Sequence, residues 1–142
     1  MVRGIKPHYN LTVPSERNSI ESVIIFAENI AKRMKLKKSE SDNFAISVSE
    51  VVANAIIYGN KLNKDKKVKI DVYINENEIT VKVKDEGTGF NPDILKNPTD
   101  PENILKETGR GLFILKNLND KVDFNQTKEG FEVTFSKRFS KK

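Results

Sequence analysis

Residues 49–60 read Ser-Glu-Val-Val-Ala-Asn-Ala-Ile-Ile-Tyr-Gly-Asn, SEVVANAIIYGN. Val51, Val52 and Ala55 continue an apolar stripe that starts at Phe44 and Val48 at helical spacing. The spacing predicts a helix that begins after Ser39, takes Asp42 as the acidic partner of a capping box, and runs to about Tyr58. Gly59 and Asn60 then suit its C-terminus. Two polar residues lie beside the stripe. Glu50 and Asn54 are four apart, so they stand one turn apart on the same side. At about 100° per residue Asn54 falls between Glu50 and Val51 around the helix, near the buried edge, where an unpaired amide is costly. A hydrogen-bonding Asn at a helix boundary beside a solvated Glu accounts for this pair. A site that uses an amide and a carboxylate together is the other reading, which the pair taken alone does not favour.

Working outward, Ile20, Val23, Ile24, Ala27, Ile30, Ala31 and Met34 mark one face of an earlier helix, with Pro14-Ser15 as its expected start. Tyr9, Leu11 and Val13 alternate as an extra strand before it. On the C-terminal side, Val68, Ile70, Val72 and Ile74 alternate, Asn75 to Glu78 turn, and Ile79, Val81 and Val83 alternate again, which is a β-hairpin. Residues 86–108 then lose periodicity and carry Gly87, Gly89, Pro92, Pro98 and Pro101, with Gly109 just beyond, so a lid-like loop is expected over about 90–108. A short helix from about Gly111 to Asn119 and a second hairpin, Val122/Phe124 with Phe131/Val133/Phe135, complete the chain. The order predicts an α+β two-layer sandwich, helices on one face of a mixed, mostly antiparallel sheet, formed by one domain over residues 1–142. The opposite sheet face then requires either polar residues or a partner.

Composition narrows the chemistry. The 142 residues contain no cysteine and a single histidine, His8, which excludes disulfides, thiolate zinc sites, iron–sulfur clusters and histidine metal clusters. No apolar run approaches the roughly 18–20 residues of a membrane span, so no membrane association and a cytoplasmic location are expected. Twenty-five basic against 20 acidic residues give a net charge of +5. The lysines are scattered in small groups without interleaved aromatics, so a nucleic-acid partner is not expected.

Two glycine constellations follow strands or precede helices. In Asp85-Glu86-Gly87-Thr88-Gly89 the glycines allow close backbone approach to a ligand, and an aspartate at the strand end can accept a hydrogen bond from an amino group. A tight turn explains the same residues. In Thr108-Gly109-Arg110-Gly111-Leu112-Phe113 the glycines leave helix N-terminal N–H groups unobstructed, which suits phosphate oxygens, and Arg110 adds charge. Close packing at a helix start explains these glycines as well.

Taken together, Glu50-x-x-x-Asn54 on a helix, Asp85-x-Gly87-x-Gly89 after a strand, a proline-bearing loop and Gly109-x-Gly111 resemble the N, G1 and G2 boxes of the GHKL ATPases. That superfamily includes gyrase B subunits, MutL repair proteins, heat-shock chaperone ATPases and histidine kinases. The chain's small size, its opening LTVPSERNSIESV, the helix SEVVANAIIYGN and the segment GRGLFILKNLND look most like the bacterial anti-sigma factor serine/threonine kinases, over residues 9 to 137.

The resemblance implies ATP and Mg²⁺ as cofactors, with Asp85 on the adenine amino group, Gly87 and Gly89 in the turn beneath the base, and Asn54 as the Mg²⁺ ligand. Glu50 would orient or deprotonate the attacking hydroxyl. Thr108, Gly109, Arg110, Gly111 and Leu112 would surround the phosphates. It also implies a sigma factor and an anti-sigma antagonist protein as partners, and a homodimer. Two positions depart from the family pattern: Tyr58 stands where many relatives have His, and Phe131 follows Gly130 where a threonine is common. No GxxxxGK[ST] loop, no HRD or DFG signature and no histidine phosphoacceptor segment is present. A non-catalytic ATP-binding partner switch of the same fold is the alternative.

Overall fold

The structure, a computed structural model, describes residues 8–87 and 107–139. Five strands form one sheet: β1 (His8–Pro14), β2 (Lys67–Ile74), β3 (Glu78–Lys84), β4 (Lys121–Gln126) and β5 (Phe131–Arg138). Their order is β1-β2-β3-β5-β4, and all four pairings are antiparallel. The sheet expected to be mixed thus has no parallel pair among the described residues. β3 and β4 do run the same way, but β5 folds back between them, so each of its neighbours is antiparallel to it.

Strict alternation decides the faces. Leu11, Ile70, Val83, Val133 and Phe124 lie in one cross-strand row, and Tyr9, Val72, Val81, Phe135 and Val122 in the next. The central members of both rows are buried. They pack beneath α1 (Ser19–Arg33) and α2 (Lys38–Asn54), which bring Val23, Ala27, Ile30, Val48 and Val52, and beneath α3 (Glu107–Leu118), which brings Leu115. Each such Val, Ile or Leu contributes about 1.5–3 kcal/mol of transfer free energy, so this seam is what holds the helices on the sheet.

The helix starts differ from their expected positions. Pro14 closes β1, and Ser15 is spent across the fold, its N–H and Oγ both donating to Lys66 O (3.2 and 2.7 Å), so α1 begins only at Ser19. α2 begins at Lys38, with Ser39 already inside its first turn and no side-chain cap at Lys37. Asp42 instead pairs with Lys38 at 3.3 Å, one turn away. Between the helices Lys35 turns the chain in the left-handed region (φ 56°).

The outer sheet face answers its own polarity. His8 stacks on Tyr73 (centroids 4.5 Å apart) while its Nε2 meets Asp71 Oδ1 at 2.9 Å, and Lys82 Nζ sits 5.8 Å above the Tyr73 ring. These contacts link β1, β2 and β3 on the outer face, where Tyr73 stays 36% exposed.

Candidate functional site

The parity that builds the core also places Asp85. Val81 and Val83 point to the helices, so the next residue but one, Asp85, directs its carboxylate to the same apolar side as the chain leaves β3. It is 3% exposed. Its backbone N–H donates to Phe131 O (2.9 Å), while Oδ1 accepts from the N–H of Gly87 (2.7 Å) and of Phe131 (3.3 Å). That leaves Oδ2, the oxygen facing Gly59, with no donor among the described residues. Burial raises the Asp85 carboxyl above the ordinary aspartate range. The two N–H donors and the charge of Lys66 act against that rise, and Glu86 adds to it.

Three glycines make room for this turn. A Cβ on Gly59 would lie 2.7 Å from Asp85 Cγ and closer still to Oδ2, one on Gly87 would meet the carbonyl of Gly59, and one on Gly130 would meet the carbonyl of Asp85. The sequence places Gly59 at a helix end and Gly130 in the Thr127–Gly130 turn between the strands of the second hairpin. Gly59 does end the helix and Gly130 does close that turn, and in addition Gly59 lets backbone approach the carboxylate while Gly130 lets it approach the Asp85 carbonyl. The left-handed positions after the helix belong to Lys61 (φ 53°) and Leu62 (φ 60°).

α2 ends in a wider π-helical turn, Ala55–Gly59, with the Asn60 N–H returning to Ala55 O at 2.8 Å. Such turns are frequent at functional sites, because the extra residue re-aims one end of the helix. Here the turn aims Gly59 at Asp85 and buries Asn60. Tyr58 lies in the same turn, half-buried.

Upstream on α2, Glu50 is half-buried and Asn54 is 6% exposed. Asn54 precedes Gly59 by five residues, about 7.5 Å of helix. Its amide makes no hydrogen bond among the described residues, yet no unpartnered side-chain polar atom there is fully enclosed, so the amide keeps contact with solvent. The amide near the buried edge is thus met by solvent and not by a described protein group. No cluster of three His, Cys, Asp or Glu that could cage a metal occurs among the described residues. A single amide oxygen fits Mg²⁺, which retains several waters and binds largely through substrate phosphates.

Thr108, Gly109, Arg110, Gly111 and Leu112 form the opening turns of α3, which starts four residues earlier than expected, at Glu107. Helix geometry leaves the N–H groups of Glu107, Thr108 and Gly109 without intrahelical acceptors. Below them, Asn119 Nδ2 donates to Ser47 Oγ at 2.9 Å and fastens α3 to α2. Gly89 and the expected lid up to residue 106 lie outside the described residues. At Phe131 the side chain packs against Phe124 (6.3 Å), and the backbone alone serves Asp85.

The apolar cavity between Leu36, Phe44, Ile79, Leu118, Phe135 and Phe139 lies at the other end of β3 and, among the described residues, carries only Glu40 and Lys137 as charged groups. The groups suited to a polar ligand are at the Asp85 end. No helix among the described residues is long and apolar enough to cross a membrane.

Comparison with known proteins bears on the family and the fold. The chain is 27% identical over 136 residues to the serine-protein kinase RsbW of Bacillus subtilis, covering 92% of this chain and 84% of that one. It is 28% identical over 106 residues to the anti-sigma F factor of Clostridium beijerinckii, covering 71% and 73%. In fold it resembles the crystal structure of the RsbU and RsbW domains of a Mycobacterium tuberculosis protein, with a TM-score of 0.70 at 16% identity over 96% of this chain and 33% of that one. Residues 13–137 match the histidine kinase-like ATPase domain. Through that match, spanning the sheet, the helices and the glycine-lined turn at Asp85, the chain belongs to the histidine kinase-like ATPase domain family.

Proposed function

We propose that this chain is an ATP-dependent serine/threonine protein kinase that phosphorylates an anti-sigma antagonist protein and holds a sigma factor until that antagonist is dephosphorylated. The observation that carries the proposal is the close packing of Gly59, Gly87 and Gly130 around the turn at Asp85, whose buried carboxylate faces Gly59 at the end of the helix that bears Glu50 and Asn54. The names of the relatives, serine-protein kinase and anti-sigma factor, support the same reading.

In this reading Asp85 Oδ2 accepts from the adenine amino group, with Gly87 and Gly89 beneath the base. The free N–H groups at the start of α3, with Arg110, take phosphate oxygens, an arrangement favoured by the helix dipole. Asn54 holds Mg²⁺, whose chemistry is to neutralise charge on the phosphates. Glu50 accepts the proton of the serine or threonine hydroxyl as its oxygen bonds to the γ-phosphorus and the bond to the β–γ bridging oxygen breaks, releasing ADP.

Transfer of label from γ-labelled Mg·ATP to proteins of a lysate of the source organism, for wild type and Glu50→Ala, tests this. A small protein labelled by wild type and not by Glu50→Ala, with ATP binding retained by the variant, is the expected result. ATP binding with no labelled protein would replace the kinase by a nucleotide-gated binding module.

A further inference from the structure

Asn60 is 1% exposed, and its side chain is fully engaged. Oδ1 accepts from the Glu86 N–H (2.8 Å), and Nδ2 donates to Ser15 Oγ (2.9 Å) and to Lys67 O (3.0 Å). Its own backbone N–H is tied into the π-helical turn through Ala55 O. One amide therefore joins the end of α2, the β1–α1 connection, the start of β2 and the turn after β3. Glu86 is the residue between Asp85 and Gly87, so a bond to its N–H orients the peptide plane that leaves Asp85. Gly87, one residue on, is the donor to Asp85 Oδ1. Phe131 holds the Asp85 backbone from the β5 side, and Asn60 holds the turn from the helix side.

We infer that Asn60 is a positioning residue for nucleotide recognition, holding the Asp85–Gly87 turn in the geometry that selects the base. The inference rests on the reading that Asp85 accepts from the adenine amino group. The two ends of the amide have separable duties. The Nδ2 end fastens Asn60 to the scaffold through Ser15 and Lys67, and the Oδ1 end acts on the turn. Loss of the Oδ1 end leaves the Glu86 N–H without its acceptor and frees the peptide next to the carboxylate. Loss of the Ser15 hydroxyl weakens the scaffold and leaves the Glu86 bond in place.

The test is the ratio of ATP to GTP dissociation constants, measured by calorimetry on the full chain below its melting temperature, together with the thermal midpoint without nucleotide. General destabilisation lowers both affinities alike, so only displacement of the base contact moves the ratio. Asn60→Ala is expected to reduce the ATP preference about tenfold. Ser15→Ala is expected to lower the midpoint with the preference intact, and Asn60→Asp, which keeps the acceptor for Glu86, to retain the preference. An unchanged preference in Asn60→Ala, or an equal loss in Ser15→Ala, overturns the inference while leaving the base site standing. If Asn60→Ala does not fold, loss of preference in Asn60→Asp overturns it instead. A wild type that binds ATP no better than GTP removes the base reading, and the inference with it.

Discussion

Gly59→Ala tests the glycine-lined turn most directly. The added methyl would lie 2.7 Å from Asp85 Cγ, 3.2 Å from Oδ1 and nearer still to Oδ2, where ordinary contact begins near 3.4 Å, so the carboxylate must retreat by more than about 0.7 Å. Asp85 has little freedom to do so, because Gly87 and Phe131 hold Oδ1 and Gly130 closes on its backbone. Gly59 sits in the π-helical turn at ordinary negative φ, so alanine itself is conformationally allowed and recovers about 1 kcal/mol of helix propensity. Overpacking costs about 1–3 kcal/mol, so the net loss of stability is about 0–2 kcal/mol, a fall of up to roughly 8 °C in midpoint. Nucleotide binding suffers more. A hydrogen bond to a charged group is worth about 1.5–3 kcal/mol, so displacing the carboxylate raises the ATP Kd about 10- to 150-fold. Calorimetric titration with Mg·ATP beside a thermal melt measures both quantities on one sample. A folded Gly59→Ala protein that binds ATP at wild-type affinity would show that Asp85 Oδ2 does not meet the nucleotide, and would refute the site.

Asp85→Asn separates stability from binding. Burial raises the Asp85 pKa from 3.8, so its contribution to stability is complete below that value and is lost as pH rises through the folded-state value. Denaturant unfolding should therefore find the variant more stable than wild type at neutral pH, with the gap closing toward about pH 3, while the preference for ATP disappears. Gly130→Ala sets a methyl against the Asp85 carbonyl and 2.9 Å from Glu86 Cα, backbone that no rotamer can clear, so a loss of about 3 kcal/mol is expected by urea titration. Asn54→Ala should leave the melting temperature nearly unchanged, since the amide has no partner among the described residues. It should bring the ATP affinity in Mg²⁺ down to the value seen with chelator.

Much of the scaffold was legible because the signals are local. The alternation of Val68 to Ile74 and Ile79 to Val83 is read within one hairpin, and the stripe from Phe44 to Ala55 within one helix, so elements and faces follow from periods of 2 and 3.6 residues. The adjacency of Glu50 and Asn54 is legible for the same reason. Helix starts were less so. Ser15 and Ser39 both look like caps, yet Ser15 is drawn off to Lys66, a residue 51 positions away, and tertiary context overrode the local preference.

The sequence alone named the candidate site residues, and through the parity of Val81, Val83 and Asp85 it contains the burial of the carboxylate. What only the tertiary structure decided is which distant backbones close on that carboxylate. β5 runs between β3 and β4, which brings Gly130 and Phe131 to Asp85, 45 and 46 positions earlier in the chain, and the π-helical turn aims Gly59 and Asn60 at the same turn across 26 residues. No window of periodicity spans such separations. The contacts exist because packing the apolar seam sets strand order and helix length together, and the site is assembled where those two choices meet.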